Sequence, residues 1–157
     1  MTASENKAMP EHTQTVTAHL VIADAAKAID FYKRAFGAEQ MFLLDGPGGK
    51  VMHACLRIGN SNVFLADEFP DWGSVGPLAR GGTTVSMHIY AENPDAIFDK
   101  AVAAGAKPVM PMGDAFWGDR YGQVEDPFGH RWAIAFHQRD VSVEEMREAM
   151  KNMPECA

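Results

Sequence analysis

The sequence predicts an α+β fold of two βαβββ modules in tandem, with curved mixed sheets around a cleft and helices on the outer faces. The first observation behind this prediction is an internal repeat: residues 19–39, "HLVIADAAKAIDFYKRAFGAE", match residues 88–108, "HIYAENPDAIFDKAVAAGAKP". Each copy opens with a histidine on an apolar strand, passes an acidic residue and enters a helix that ends in Gly-Ala. The second observation is that three strand-like runs, separated by turn residues, follow each helix.

The two predicted helices have recognisable ends. Asp24 and Asn93 are N-cap candidates, and Pro94 suits the first helical position. Gly37 and Gly105 follow the last turns, where a left-handed backbone conformation is common. An apolar stripe on each helix indicates the face that packs on a sheet.

The predicted strands divide the chain into modules. They cover residues 40–45, 50–58 and 62–67 in the first module and 108–112, 120–126 and 130–137 in the second. The modules span 15–68 and 83–137 of a single domain, 15–137, and a loop at 69–82 joins them. We expect residues 1–14 to be a disordered lead-in and 138–157 to form a short helix and tail, with Ser142 and Glu145 as a capping box.

The stretch "EDPFGHRW", residues 125–132, predicts a tight turn that leads into the last strand. That strand has one bulky face, formed by His130, Trp132, Ile134 and Phe136. Its other face carries Arg131, Ala133, Ala135 and His137. We interpret the face with the alanines as the wall of a cavity, because small side chains leave room.

Composition and charge exclude several classes of partner. The chain has 157 residues and a net charge of −7, which argues against nucleic acid or an anionic membrane as partner. No stretch is apolar and long enough to span a bilayer, and "MTASENKAMPEH" lacks the apolar core of a signal peptide. We therefore expect a cytoplasmic protein. Cys55 and Cys156 do not form a disulfide framework.

Two motifs carry a resemblance to a known family. With "AIDFYKRAFGA" in the first half and "EDPFGHRW" near the end, the duplicated unit resembles the vicinal oxygen chelate superfamily. That superfamily holds glyoxalases, extradiol dioxygenases, fosfomycin-modifying enzymes and bleomycin-binding proteins. The longer motif "WGDRYGQVEDPFGHRW" is similar to its PhnB-like branch. The resemblance covers residues 15–137 and implies this fold with a small-molecule cleft.

The resemblance also implies where a metal would lie. Metal-dependent members place a His or Glu ligand on the first and last strand of each module, and the matching positions here are Thr17, Ser86, Ala133 and the vicinity of Leu65. These side chains lack the imidazole or carboxylate that a divalent ion needs. We expect the superfamily's usual metal site to be lost.

His19 and His88 occupy matching places in the repeat, two residues beyond the empty ligand positions. Strand alternation places His19 on the face of Thr17, and His88 on the face of Ser86 and Tyr90, so both imidazoles are expected to enter the cavity.

Three interpretations of these histidines stay open. They are ligands of a displaced zinc, iron, manganese or nickel ion, with His137, Asp67 or Glu68 as a third ligand. Otherwise they are hydrogen-bonded polar groups, or one is a general base that works without metal.

The turn "FWGDRYG", residues 116–122, is a second candidate. Trp117 and its aromatic neighbours would stack a flat ligand while Arg120 holds an anionic group. The alternative is a structural loop with Arg120 paired to Asp126 or Asp119. For Cys55 the choice lies between a nucleophile and a small buried side chain.

These observations leave two function classes. The favoured one is a protein that binds a small organic molecule in the cleft without the usual metal. Its ligand-binding candidates are Thr17, Ser86, Tyr90, Trp117, Arg120, Ala133 and His137. The other is a lyase, isomerase or dioxygenase that uses His19 and His88. In both cases we expect a homodimer, because open sheet edges and apolar rims need cover.

Overall fold

The computed structural model describes residues 7–154, so Cys156 lies outside the described residues. The strands are β1 His19–Ile22, β2 Glu39–Asp45, β3 Val51–Ile58, β4 Ser61–Asp67, β5 Ser86–Tyr90, β6 Lys107–Asp114, β7 Asp119–Glu125 and β8 Arg131–His137. The α-helices are α1 Ala25–Phe36, α2 Pro77–Arg80, α3 Pro94–Ala103 and α4 Val143–Lys151. Single 3₁₀ turns cover Pro47–Gly49 and Pro70–Trp72.

The strands form two four-stranded mixed sheets with the same topology. Their orders are β1-β4-β3-β2 and β5-β8-β7-β6. In each sheet the first strand of the module pairs in parallel with the last, and the other pairs are antiparallel. The predicted α+β fold of two βαβββ modules is confirmed.

The chain divides into two compact units, one built on each sheet. Of the described residues, unit 1 comprises Gly37–Gly76 and those up to Lys33, and unit 2 comprises Arg34–Phe36 and those from Pro77 onward. Among the described residues, no helix has the length and apolar character needed to cross a membrane.

The helix ends follow the capping chemistry that the sequence predicts. The side chain of Asp24 accepts a hydrogen bond from the backbone N–H of Lys27, and Asn93 does the same for Ala96. Gly37 ends α1 in the left-handed conformation, with φ of 66°. Ser142 and Glu145 form the predicted capping box at the start of α4.

The bulky face of β8 supplies part of the core of unit 2. Trp132 and Ile134 are buried, whereas Phe136, near the end of the strand, is 37% exposed. The turn before β8 depends on the buried carboxylate of Asp126. One of its oxygens accepts hydrogen bonds from the backbone N–H groups of Phe128 and His130, at 2.9 and 3.0 Å, and the other accepts the indole N–H of Trp132 at 2.9 Å.

Replacing Asp126 is therefore expected to destabilise the fold. Asp126→Ala leaves three donors without this acceptor, so the free energy of unfolding should fall by about 3 kcal/mol or more. Asp126→Asn keeps one oxygen and should cost about half as much. Urea denaturation measures both variants, with Asp99→Ala on the exposed face of α3 as the control, expected within about 0.5 kcal/mol of the parent. Equal stability of Asp126→Ala and the control would contradict this account of the turn.

Candidate functional site

A groove with a volume of about 490 Å³ lies on one face of the sheet of unit 1. Its floor comes from β2, β3 and β4. The side chains that line the floor are Met41, Phe42, His53, Cys55, Arg57, Asn62 and Phe64. Pro10, Glu11, His12 and Thr13 form one wall.

The register of the sheet assembles this floor. Phe42 lies opposite Cys55, Cys55 opposite Phe64, and Phe64 opposite His19, so the four residues form one row across the sheet. On β3, alternation gives His53, Cys55 and Arg57 the same face as this row. The groove therefore depends on three strand pairings, two between strands that are consecutive in the chain, β2–β3 and β3–β4, and one between β1 and β4.

Aromatic rings crowd around His53. Its ring centroid lies 4.9 Å from that of Phe64, 5.6 Å from that of His19 and 6.0 Å from that of Phe42. Burial, and after it the charge of His53, lower the pKa of His19. His19 is consequently a neutral imidazole at pH 7, able to accept one hydrogen bond and donate another.

The groove wall is tied to the sheet by Asn62. The side-chain amide of Asn62 donates to the carbonyl of His12 at 2.8 Å, and its backbone N–H donates to the side-chain carbonyl of Gln14 at 3.1 Å. Residues 10–13 belong to the segment expected to be a disordered lead-in, and here they are part of the groove.

Cys55 is buried in the groove floor. Burial raises the pKa of the Cys55 thiol, and the nearby charge of Arg57 only partly offsets the effect. A thiol with a raised pKa is a poor nucleophile. These surroundings favour a packing role for Cys55.

In unit 2, rings occupy the face of β8 that carries the alanines. His88 lies opposite Ala133 and Tyr90 opposite Ala135, while Tyr121 pairs with Ala135 from the other side. The ring of His88 lies 4.6 Å from that of Tyr90 and 5.8 Å from that of Tyr121, measured between centroids. Both alanines are buried, so the room that they leave is filled by aromatic side chains.

A buried carboxylate connects the polar ends of this ring cluster. Asp119 accepts hydrogen bonds from the hydroxyl of Tyr90 at 3.3 Å, from the indole N–H of Trp117 at 3.1 Å and from Nδ1 of His137 at 2.8 Å. Nε2 of His137 lies 2.8 Å from a carboxylate oxygen of Asp140. Asp119 first and Asp140 second raise the pKa of His137. The protonated ring is thus favoured between two carboxylates.

Arg120 lies on the opposite face of β7 from Asp119, whose carboxylate binds Trp117. Its guanidinium donates to both oxygens of Asp95 on α3, at 2.7 and 3.1 Å, and to Asp114 at 3.3 Å. These hydrogen bonds raise the pKa of Arg120. The alternative pairing with Asp126 or Asp119 is not the one observed, because alternation on β7 turns Arg120 toward the helix and Asp119 away from it. Two carboxylates already occupy the guanidinium that was predicted to bind a ligand anion.

The positions that the resemblance assigns to metal ligands carry neither imidazole nor carboxylate groups. Thr17 precedes β1, with its hydroxyl 3.5 Å from the carbonyl of Gln14, and Ser86 is exposed at the start of β5. Leu65 is buried, and its neighbour Phe64 faces the groove instead. Between residues 7 and 154, no group of three His, Cys, Asp or Glu side chains is arranged to hold a metal ion.

The candidate third ligands of a displaced metal have structural partners. One oxygen of Asp67 accepts the backbone N–H of Ala25 at 2.9 Å, and the other accepts that of Val51 at 2.7 Å. Glu68 accepts the backbone N–H of Gly76 at 2.8 Å. These carboxylates hold the fold of unit 1.

Several residues of these sites were not predicted from the sequence. His53 and Arg57 share a face with Cys55, so strand alternation on β3 was the signal that could have found them. Asn62, Phe64 and Asp119 left no such signal, because their roles depend on register and on loop contacts.

Comparisons with known proteins agree with the fold. The model of the Glyoxalase/Bleomycin resistance protein/Dioxygenase superfamily matches residues 11–134. The uncharacterized protein Rv0887c of Mycobacterium tuberculosis is 44% identical over 137 residues, covering 85% of this chain and 81% of that protein. The structure of protein PA1353 from Pseudomonas aeruginosa is similar, with a TM-score of 0.65 at 22% identity, covering 81% of this chain and 100% of that one. The PhnB protein from Bacillus cereus has a TM-score of 0.63 at 19% identity, covering 78% of this chain and 99% of that one.

Proposed function

The chain belongs to the Glyoxalase/Bleomycin resistance protein/Dioxygenase superfamily, and from this premise we propose that it binds a small organic molecule in the groove of unit 1. The observation that carries the proposal is the groove itself, with a floor of aromatic rings and a volume of about 490 Å³. Sites for small molecules are of this kind, about 300–1,000 Å³ and mostly apolar with a few polar groups.

The ring floor supplies the binding energy in this proposal. A ligand that covers Phe42, His53 and Phe64 gains about 25 cal/mol for each Å² of apolar surface removed from water. Part of this gain offsets the loss of ligand freedom. The rings contact one another, with a tilted pair between Phe42 and His53 and an edge contact between His53 and Phe64, so little further ordering is needed when a flat ligand binds.

Binding of this kind needs no metal. Thr17, Ser86 and Ala133 offer neither imidazole nor carboxylate at the positions where metal-dependent relatives carry ligands. For unit 2 by itself, we propose Tyr90, Trp117 and His137, which all hydrogen-bond to Asp119, as ligand contacts on the ring cluster of that unit.

The test is binding of planar aromatic compounds of one and two rings, followed by ¹H–¹⁵N NMR. Compounds that bind should shift the resonances of Phe42, His53 and Phe64. Phe64→Ala should weaken the affinity for these compounds about tenfold or more, because ring contact is lost. Leu78→Ala, an exposed position on α2, is the control and should leave affinity unchanged. The proposal fails if no compound shifts these resonances, or if both variants bind as the parent does.

A second candidate function is supported by the lowered pKa of His19. A neutral imidazole beside an apolar groove is suited to general-base catalysis or to metal binding, so a lyase, isomerase or dioxygenase using His19 and His88 is the alternative. Elemental analysis after dialysis distinguishes a metal-dependent enzyme from one that uses a general base without metal, since a metal enzyme retains stoichiometric zinc, iron, manganese or nickel.

For the base form, we expect NMR titration of His19 to give a pKa below the ordinary value of about 6.5. His53→Gln should raise this pKa only in part, because burial is its larger cause. Turnover by a neutral base would fall as the pH drops through the lowered pKa. Titration of His19 at or above the ordinary value would remove the observation on which this alternative depends.

We also propose that a second copy of the chain covers β2. This strand is an edge strand, and its apolar residues are exposed on both faces, with Leu43 and Leu44 37% and 51% accessible. Apolar edge strands are usually paired or covered. Sedimentation velocity at micromolar concentration should show a homodimer, and Leu44→Glu should shift it toward monomer, whereas Leu78→Glu should not. A monomeric parent protein would contradict the proposal.

A further inference from the structure

Arg57 is a cation that lines the groove and has no carboxylate partner among residues 7–154. Its side chain makes one hydrogen bond, from Nε to the side-chain carbonyl of Asn62, at 3.4 Å. No ion pair of Arg57 exists within the described part of the chain, although Glu39 lies opposite it on β2. The terminal nitrogens Nη1 and Nη2 are therefore available to a ligand.

Two other arginines on sheet strands of this acidic chain are neutralised. Arg120 forms ion pairs with Asp95 and Asp114, and Arg131 lies 3.5 Å from a carboxylate oxygen of Glu125. Arg57 differs from them in facing the apolar floor, where a partly desolvated charge is costly unless it is paired. An anion that enters the groove would supply that pair.

We propose that the ligand of the groove is an organic anion, with a carboxylate-type head held by Nη1 and Nη2 of Arg57 and a planar apolar body on Phe64 and His53. The inference rests on the proposed function, since it assigns a chemical class to the ligand of the same groove. A guanidinium matches a carboxylate with two parallel hydrogen bonds, which gives both affinity and orientation.

Asn62 is the positioning residue in this arrangement. Its side-chain oxygen accepts a hydrogen bond from Nε of Arg57, which leaves the edge formed by Nη1 and Nη2 free. Its amide nitrogen donates a hydrogen bond to the carbonyl of His12 in the groove wall. One buried side chain thus orients the cation and fixes the wall beside it. Glu11, the acidic residue of that wall, is paired with Lys7.

The experiment compares two probes of equal shape, 2-naphthoate and the uncharged 2-naphthamide, by titration calorimetry. The parent protein should bind the acid about tenfold or more tightly than the amide, because only the acid offers a charged partner to Arg57. Arg57→Gln should remove this difference by weakening the acid and leaving the amide within about twofold. Arg57→Lys, which keeps the charge but loses the two parallel hydrogen bonds, should lie between them.

Two further variants distinguish the anion assignment from the proposed binding of small molecules in the groove. Arg147→Gln on the exposed surface of α4 should leave both probes unchanged, and Phe64→Ala should weaken both equally. If the parent binds the two probes with equal affinity, or Arg57→Gln leaves the acid unaffected, the anion assignment is wrong while the groove remains a binding site. If neither probe binds, the proposed function fails and the assignment falls with it. Far-UV circular dichroism confirms that each variant is folded, and the comparison of acid with amide on the parent protein needs no variant.

Discussion

The carboxylate of Asp67 is the constraint on which the groove of unit 1 depends. It lies at the end of β4, and its two oxygens accept the backbone N–H groups of Ala25, at the start of α1, and Val51, at the start of β3. A buried carboxylate is costly unless it is hydrogen-bonded, so these two bonds fix where the helix and the strand begin. Because side chains alternate along a strand, a shift of one residue in β3 would turn His53 and Arg57 away from the floor.

Buried carboxylates that accept several hydrogen bonds also occur in unit 2, where they hold a turn and a ring cluster. Asp126 and Asp119 are buried carboxylates that each satisfy three donors, among them an indole N–H in both cases. Asp126 shapes the turn before β8, while Asp119 draws Tyr90, Trp117 and His137 together on the sheet face. Hydrogen bonds to a buried acceptor leave little freedom to the groups that make them. The ring cluster of unit 2 is consequently a rigid surface whose polar groups are already hydrogen-bonded to one another.

Local chemistry accounts for what the sequence predicted well. The ends of α1 and α3 follow from Asp24, Asn93 and Gly37, whose side-chain or backbone preferences act within a few residues. The turn at Asp126 follows from the same local rules. The bounds of the strands agree to within one or two residues for most of the chain, because turn residues separate them.

The strand register and the ion-pair partners of the arginines could not be predicted from the sequence, for a physical reason. The row Phe42–Cys55–Phe64–His19 joins four strands, and its register is set by pairings whose energies depend on the whole sheet. Arg120 is paired with Asp95, 25 residues earlier, and with Asp114, rather than with Asp119 or Asp126, because α3 packs on its face of β7. The same kind of long-range information decides that, within residues 7–154, Arg57 forms no ion pair although Glu39 lies opposite it on β2.

The two halves of the repeat have therefore diverged in what they offer to a ligand. His19 and His88 hold matching places, yet His19 lies among His53 and Phe64 beside a groove, while His88 packs on Tyr90 and Tyr121 over buried alanines. In unit 1 the guanidinium of Arg57 lines the groove without an ion pair among the described residues, and the neutral imidazole of His19 lies beside the groove, next to His53. In unit 2 the acidic and basic groups of the ring cluster already bind one another. In the proposed function, selectivity for the chemistry of a ligand consequently belongs to unit 1, since a group discriminates between ligands only if the ligand completes its hydrogen bonding.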